Sequence, residues 1–349
     1  MKSYNHLFEK LISDENILQA ISNATLGKRN RQKWKELFLN KEDYVEYFRN
    51  EMAHFHNDIH TPKEIYDGIT RKKRTIIVPT MREQVLHHMI VQVLKPIVMH
   101  GLYEHAYGSL PGRGVHSAKV SMAKWIHRDQ NVNYVVKADI TRYFYSINRD
   151  FLKSKLERVI RDKKFLEILS TLISVDNSNY GLPLGFYTSQ WLSMFYLKDF
   201  DHYVKSIRVV KHYMRYVDDI VILCYTKDDA KNALSSITSF INIEGLGINR
   251  KTQIYKFDNR DIDFMGFRFF KQKTILRKTI LFKLLRKARK LKKKKYITIY
   301  DIRQMMSYIG WYKWCMIHDV WQKYVTPNFS IKNAKIRISK FDKRRSLSA

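Results

Sequence analysis

A β-prone apolar run broken in its middle by two adjacent carboxylates, His212-Tyr-Met-Arg-Tyr-Val-Asp-Asp-Ile-Val-Ile-Leu223, sets the strongest condition on how this chain folds. Negative charge among apolar strands is costly unless a cation compensates it. Tyr213 to Tyr216 and Ile220 to Leu223 read as two short strands, so Asp218 and Asp219 fall at the hairpin tip between them. A tight turn carrying two acids, on strands anchored in a core, suits a divalent metal. Oxygen ligands favour Mg2+ or Mn2+ over softer ions. A solvated Asp-Asp turn is the plainer reading, and the rest of the chain must choose between them.

The 349 residues suffice for one large core or two or three subdomains, and a hydrophobic content of 45% argues against wholesale disorder. The charge is unusual: 64 Lys+Arg against 33 Asp+Glu gives a formal +31. Such an excess points to a polyphosphate partner, with a membrane surface as the competing one. No apolar run approaches the roughly 18 residues of a spanning helix. Met1-Lys-Ser-Tyr-Asn does not open a signal peptide, and no lipidation motif is present, so a cytoplasmic protein without a membrane partner is expected. The two cysteines, Cys224 and Cys315, form neither a disulfide framework nor a zinc cluster, and both are expected to be buried thiols.

Residues 1–60 are polar and helically patterned. Arg74 to Pro79 reads as a strand entered through Arg71-Lys-Lys-Arg74, and Arg82 to His100 as a helix with apolar Val85, Met89, Val93 and Ile97. A strand, Tyr134 to Asp139, ends on an acid. Helices are expected over Phe151 to Ser174, Leu192 to Ser206 and Lys227 to Ile243, and a strand over Asp263 to Phe270. Lys271 to Lys295 then carries thirteen Lys/Arg and no Asp or Glu, with Leu281, Leu284, Leu285, Ala288 and Leu291 as its apolar face. Helical, aromatic-rich sequence follows from Tyr300 to Tyr324. Antiparallel strands mixed with helices make an α+β fold, with a basic helical subdomain at the C-terminal end.

If two metals are to be clamped, the Asp pair needs a third ligand, and Asp139 at its strand end is the best candidate. Carboxylates holding two metals can activate an attacking oxygen and stabilise a leaving one in an in-line phosphoryl displacement.

Six motifs in order carry a family resemblance over roughly residues 20–320. They are Lys72-Lys-Arg-Thr-Ile-Ile-Val-Pro79 with Arg82, Asp139-Ile-Thr-Arg-Tyr-Phe144, Gly181-Leu-Pro-Leu-Gly-Phe-Tyr-Thr-Ser-Gln190, Tyr216-Val-Asp-Asp219, Leu246-Gly-Ile-Asn-Arg-Lys-Thr252 and Phe264-Met-Gly-Phe267. Together they resemble reverse transcriptases. The resemblance implies a right-hand polymerase: an N-terminal helical extension at 1–60, fingers at 61–133, a palm at 134–270 with part of the fingers inserted around 150–180, and a basic helical thumb and tail at 271–349. It implies RNA-directed DNA polymerase activity, with Asp139, Asp218 and Asp219 on two Mg2+ ions and Mn2+ as the substitute. Lys72, Arg74 and Arg82 would bind the triphosphate of the incoming deoxynucleotide. Phe144, or Tyr143 if the register differs by one, would stand against the sugar 2′ position and exclude ribonucleotides. Gly185 would allow close backbone approach to the nucleotide. Met265 and Gly266 would bring backbone to the primer strand. Lys251 is either the acid that protonates pyrophosphate or a solvated surface lysine.

Within the family, the branch most similar is that of diversity-generating retroelements, through Ser189-Gln190, Gly27-Lys-Arg29, Gly112-Arg-Gly-Val-His116, Leu276-Arg-Lys278 and Gly310-Trp311. In that branch a short polymerase copies a dedicated noncoding RNA into cDNA, with errors concentrated at template adenines, and works with a small basic accessory protein; a second subunit is the other partner considered. Gln190 would loosen base selection or serve as a structural amide. Ser109-Leu110-Pro111 departs from the branch, which often has an Arg there. An antiphage-defence reverse transcriptase with its own associated RNA is the rival setting. A catalytically silent RNA-binding protein of the same fold is the alternative from another class.

Overall fold

The computed structural model describes residues 3–66, 73–315 and 318–347. Strands and helices mix in an α+β arrangement. Contacts group the chain into two compact units, residues 1–114 with 136–254 and residues 115–135 with 255–349.

The strands among the described residues are β1 Lys63–Tyr66, β2 Lys73–Ile76, β3 Ala106–Tyr107, β4 Tyr134–Asp139, β5 His212–Tyr216, β6 Asp219–Cys224, β7 Gln253–Lys256, β8 Ile262–Phe264, β9 Phe267–Phe269 and β10 Thr274–Leu276. β1 and β2 pair antiparallel, with Lys63 opposite Ile76 and Tyr66 opposite Lys73. The sequence suggested β2 alone, because β1 is exposed along its whole length and has no apolar face to betray it.

The principal sheet has the order β3-β5-β6-β4-β7. β5 and β6 are antiparallel with Tyr216 opposite Asp219, and β3 joins β5 in parallel. Ile220 to Cys224 are all buried, which explains why β6 reads as a continuous apolar run rather than an alternating one. The helix Lys227–Ile243, capped by the reciprocal Thr226 and Asp229 bonds, packs on β6. The helix Met81–Met99 starts at a Thr80/Glu83 capping box and buries the expected stripe of Val85, Met89, Val93 and Ile97. It packs against the helices Asp14–Thr25 and Tyr187–Tyr196.

Two expected long helices are each divided. Residues 151–174 form Arg149–Val159 and Lys163–Ile173, because Asp162 caps the second by accepting from the Phe165 N–H. Residues 192–206 divide between Tyr187–Tyr196 and Lys198–Ser206.

In the second unit, β10-β9-β8 form a three-stranded antiparallel sheet. The expected strand over 263–270 is instead a hairpin, since Met265 (φ 51°) and Gly266 (φ 86°) both take the left-handed conformation of a two-residue turn. The helix Lys278–Lys292 buries Ile280, Leu284, Ala288 and Leu291 on one face and leaves Arg286, Arg289 and Lys290 exposed. Asp301, in the first turn of the helix Ile299–Tyr312, accepts from Lys287 at 2.7 Å and Lys294 at 2.6 Å, so part of the basic run is spent internally.

Candidate active site

The tip of the β5–β6 hairpin is the two-residue loop Val217-Asp218, with Asp219 opening β6. β4 lies beside β6 and ends at Asp139. The Ile140 N–H donates to the Asp218 carbonyl at 3.2 Å, which ties the two acid-bearing segments together. Asn249 fixes Asp139 twice: its backbone N–H donates to the Asp139 carbonyl at 2.8 Å and its side-chain amide to the carboxylate Oδ2 at 3.1 Å.

Burial, then the charges of Asp219 and Asp139, push the Asp218 carboxyl up to about 6, against the smaller pull of a backbone hydrogen bond and of Arg74. A solvated Asp-Asp turn would not feel this; three carboxylates forced into one part-buried space do. Among the described residues no three His, Cys, Asp or Glu side chains are already arranged as a metal cage. The donor set is nonetheless all oxygen and mutually repelling, which fits hard divalent cations.

The other expected site residues are placed as follows. Lys72 lies outside the described residues. Arg74 is exposed on β2 and acts electrostatically on Asp218. Arg82 is taken up by its own acids: it pairs with Glu51, with Asp58 at 2.8 Å, and donates to the His56 carbonyl at 3.3 Å. That network braces the start of the helix Met81–Met99, a use the sequence did not suggest. Tyr143 is buried with its hydroxyl on the Ser193 carbonyl, whereas Phe144 keeps part of its ring exposed. Gln190 and Lys251 are both exposed. Gly185 has φ 113°, and a Cβ there would stand 2.0 Å from the Ile77 carbonyl oxygen. The immediate reason for glycine is therefore contact with the chain leaving β2. At Gly266 a Cβ would meet Trp311 at 2.8 Å and Ile280 at 2.9 Å, so that turn is packed by its own unit. Cys224 is buried and Cys315 half-buried, both as free thiols. No described helix is long and apolar enough to cross a membrane.

Behind the Gly185 loop, Phe186 packs at 4.5 Å on the ring of His87, which has no exposed surface and no hydrogen-bond partner on either nitrogen. Burial, and then the charges of His88 and His60, lower His87 from 6.5 to about 3. Below pH 6.5 the unfolded chain therefore takes up a proton that the folded chain refuses, so stability present at neutral pH is lost as pH falls toward 3. Between pH 7 and pH 5 this one group removes about 2 kcal/mol. His87→Leu is expected to flatten the pH dependence of the melting temperature over that interval by a corresponding amount; an unchanged slope would show that His87 titrates normally.

The model of the reverse transcriptase (RNA-dependent DNA polymerase) family matches residues 61–269, which span all three aspartates. The chain belongs to that family. A Saccharomyces cerevisiae protein whose name assigns it to COX1/OXI3 intron 2 is 23% identical over 259 residues, 56% of this chain and 30% of that protein. Protein YkfC of Escherichia coli is 25% identical over 143 residues, 38% of each chain. This chain thus spans about a third of the length of these curated relatives. A solved apo telomerase from Candida tropicalis, truncated from its C-terminal domain, is similar with a TM-score of 0.44 at 15% identity, over 64% of this chain and 54% of that one.

Proposed function

We propose that this chain polymerises deoxynucleotides on an RNA template, with nucleotidyl transfer at Asp139, Asp218 and Asp219. The observation that carries this is the placement of three acids on neighbouring segments, Asp139 ending β4 and Asp218-Asp219 at the β5–β6 tip, where burial first and then the charges of Asp219 and Asp139 push Asp218 up to about 6. Two Mg2+ ions, or Mn2+ in their place, held by these acids would supply charge neutralisation to an in-line phosphoryl displacement.

The remaining roles belong to the chain's own side chains. Asn249 orients the Asp139 carboxylate. Arg74, with Lys72, neutralises the triphosphate, while Arg82 braces the fingers through Glu51 and Asp58. Phe144 rather than the buried Tyr143 stands at the sugar. Gln190 loosens base selection, and Lys251 supplies the proton to the leaving pyrophosphate. The exposed cations of Lys278–Lys292 engage duplex phosphate without reading sequence. The template is a dedicated noncoding RNA of a retroelement, copied with errors as in the diversity-generating branch and with an accessory protein. The intron-named yeast relative supports a mobile-element setting.

One experiment tests both levels. The protein is purified with its bound RNA, given deoxynucleotides and Mg2+, and the DNA formed is sequenced. Copies of one copurifying RNA are expected. No DNA, even on a supplied primed RNA, would defeat the polymerase reading; DNA copied from assorted cellular RNA would defeat the dedicated template alone.

A further inference from the structure

Arg215 sits in β5 one residue before Tyr216, with no exposed surface. A charge without water persists only when paired and fully hydrogen-bonded. Its Nε donates to Asp201 Oδ1 at 2.7 Å and its Nη2 to Asp201 Oδ2 at 2.5 Å, a two-pronged pairing with a buried acid on the helix Lys198–Ser206. The acid is itself oriented: the Tyr213 hydroxyl donates to Asp201 Oδ1 at 2.7 Å, and the Tyr103 hydroxyl donates to the Tyr213 carbonyl at 3.0 Å. The remaining arm of the guanidinium, Nη1, donates to the Val217 carbonyl at 2.7 Å.

Val217 is the residue least suited to its own conformation. It has φ 58°, in the left-handed region, where a β-branched side chain is an outlier. Two further contacts keep it there. Its N–H donates to the Tyr107 carbonyl at 3.0 Å. Its side chain also occupies space that only a glycine at 108 leaves free, since a Cβ on Gly108 would stand 2.6 Å from Val217 Cγ2. The next residue is Asp218. A strained turn of this kind survives only where its surroundings over-determine it.

We propose that Arg215 is a positioning residue: oriented by Asp201, it holds the Val217 carbonyl and so maintains the left-handed turn that presents Asp218 and Asp219. Its catalytic consequence rests on the polymerase reading above; its conformational consequence does not. The plainer role, a buried ion pair that only ties the helix Lys198–Ser206 to β5, makes different predictions.

Arg215→Lys keeps a cation beside Asp201 but replaces the fork with one ammonium, which cannot serve both Asp201 oxygens and the Val217 carbonyl. Loss of one charge-assisted bond at the turn is expected to lower kcat for nucleotide incorporation about ten- to a hundredfold, with KM for deoxynucleotide changed by less than about threefold. Amide exchange at Val217 in the metal-free full-length chain should accelerate about tenfold or more. In a Val217→Gly background the left-handed conformation carries no steric penalty, and the same lysine substitution should then change kcat by less than about threefold. If Arg215→Lys does not fold, the pair Arg215→Met with Asp201→Leu, which removes both charges together, replaces it in the same comparison. Equal kcat losses with and without the Val217→Gly substitution, or unaltered amide exchange at Val217, would overturn the proposal. The exchange measurement needs no polymerase activity, so it decides the matter even for a chain that extends no primer.

Discussion

Asp218→Asn is expected to cut Mg2+-dependent nucleotide incorporation by about a thousandfold while making the metal-free protein more stable. The two effects share one cause. Asp218 is part-buried, and that burial first, then the charges of Asp219 and Asp139, push its carboxyl up to about 6. A folded-state pKa above the ordinary carboxylate value means that ionisation at neutral pH opposes folding. The isosteric amide removes that opposition, and with partial exposure discounted the gain at pH 7 is about 2 kcal/mol. The same charge is what a divalent cation needs. Metal-ion stabilisation of a displacement is worth several kcal/mol, and at tenfold per roughly 1.4 kcal/mol the loss reaches about three orders of magnitude. Primer extension and thermal melts, each with and without Mg2+, check both halves. Incorporation at the wild-type rate would remove Asp218 from the site; a lower melting temperature without metal would show that the carboxylate is satisfied by the protein itself.

The position of Asp218-Asp219 at a hairpin tip was legible because two acids interrupt an apolar, β-prone run, and that of Asp139 because the strand Tyr134 to Asp139 ends on it. The helix Met81–Met99 was legible from its apolar spacing. What stayed hidden depends on partners distant in the chain. Arg82 reads as a free basic residue until the fold brings Glu51 and Asp58 to it. Arg215 looks like the solvent-facing member of an alternating strand; its partner Asp201 lies on another element and gives no local sign of the pairing. The β8–β9 turn was read as continuous strand because Met265 is not a turn former, and its left-handed φ is tolerated beside Gly266 rather than announced by composition. Asn249 carried a weak signal, as the one side-chain amide in Leu246 to Thr252, but its hold on Asp139 is a tertiary fact.

Gly185→Ala is expected to have the second large effect, because two different neighbours can claim the space that this glycine leaves open. The family resemblance implies that the missing Cβ serves close approach of a nucleotide. In the fold the space is already claimed by the protein: the Ile77 N–H donates to the Leu184 carbonyl at 2.7 Å, and an added Cβ would lie 2.0 Å from the Ile77 oxygen. No flexible side chain can give way there, because both sides are backbone. The residue also has φ 113°, which an alanine adopts only with strain. Strain and overlap together should destabilise the nucleotide-free protein by about 3 kcal/mol, a fall of roughly 5–10 °C in melting temperature. The chain that Gly185 touches continues from β2, which carries Arg74, so KM for deoxynucleotide should rise as well. If the glycine served nucleotide approach alone, Gly185→Ala would raise KM and leave the nucleotide-free melting temperature unchanged. A substantial fall in that temperature before any nucleotide is added is the result that assigns this glycine to docking of the β2 segment on the Leu184-Gly185 backbone.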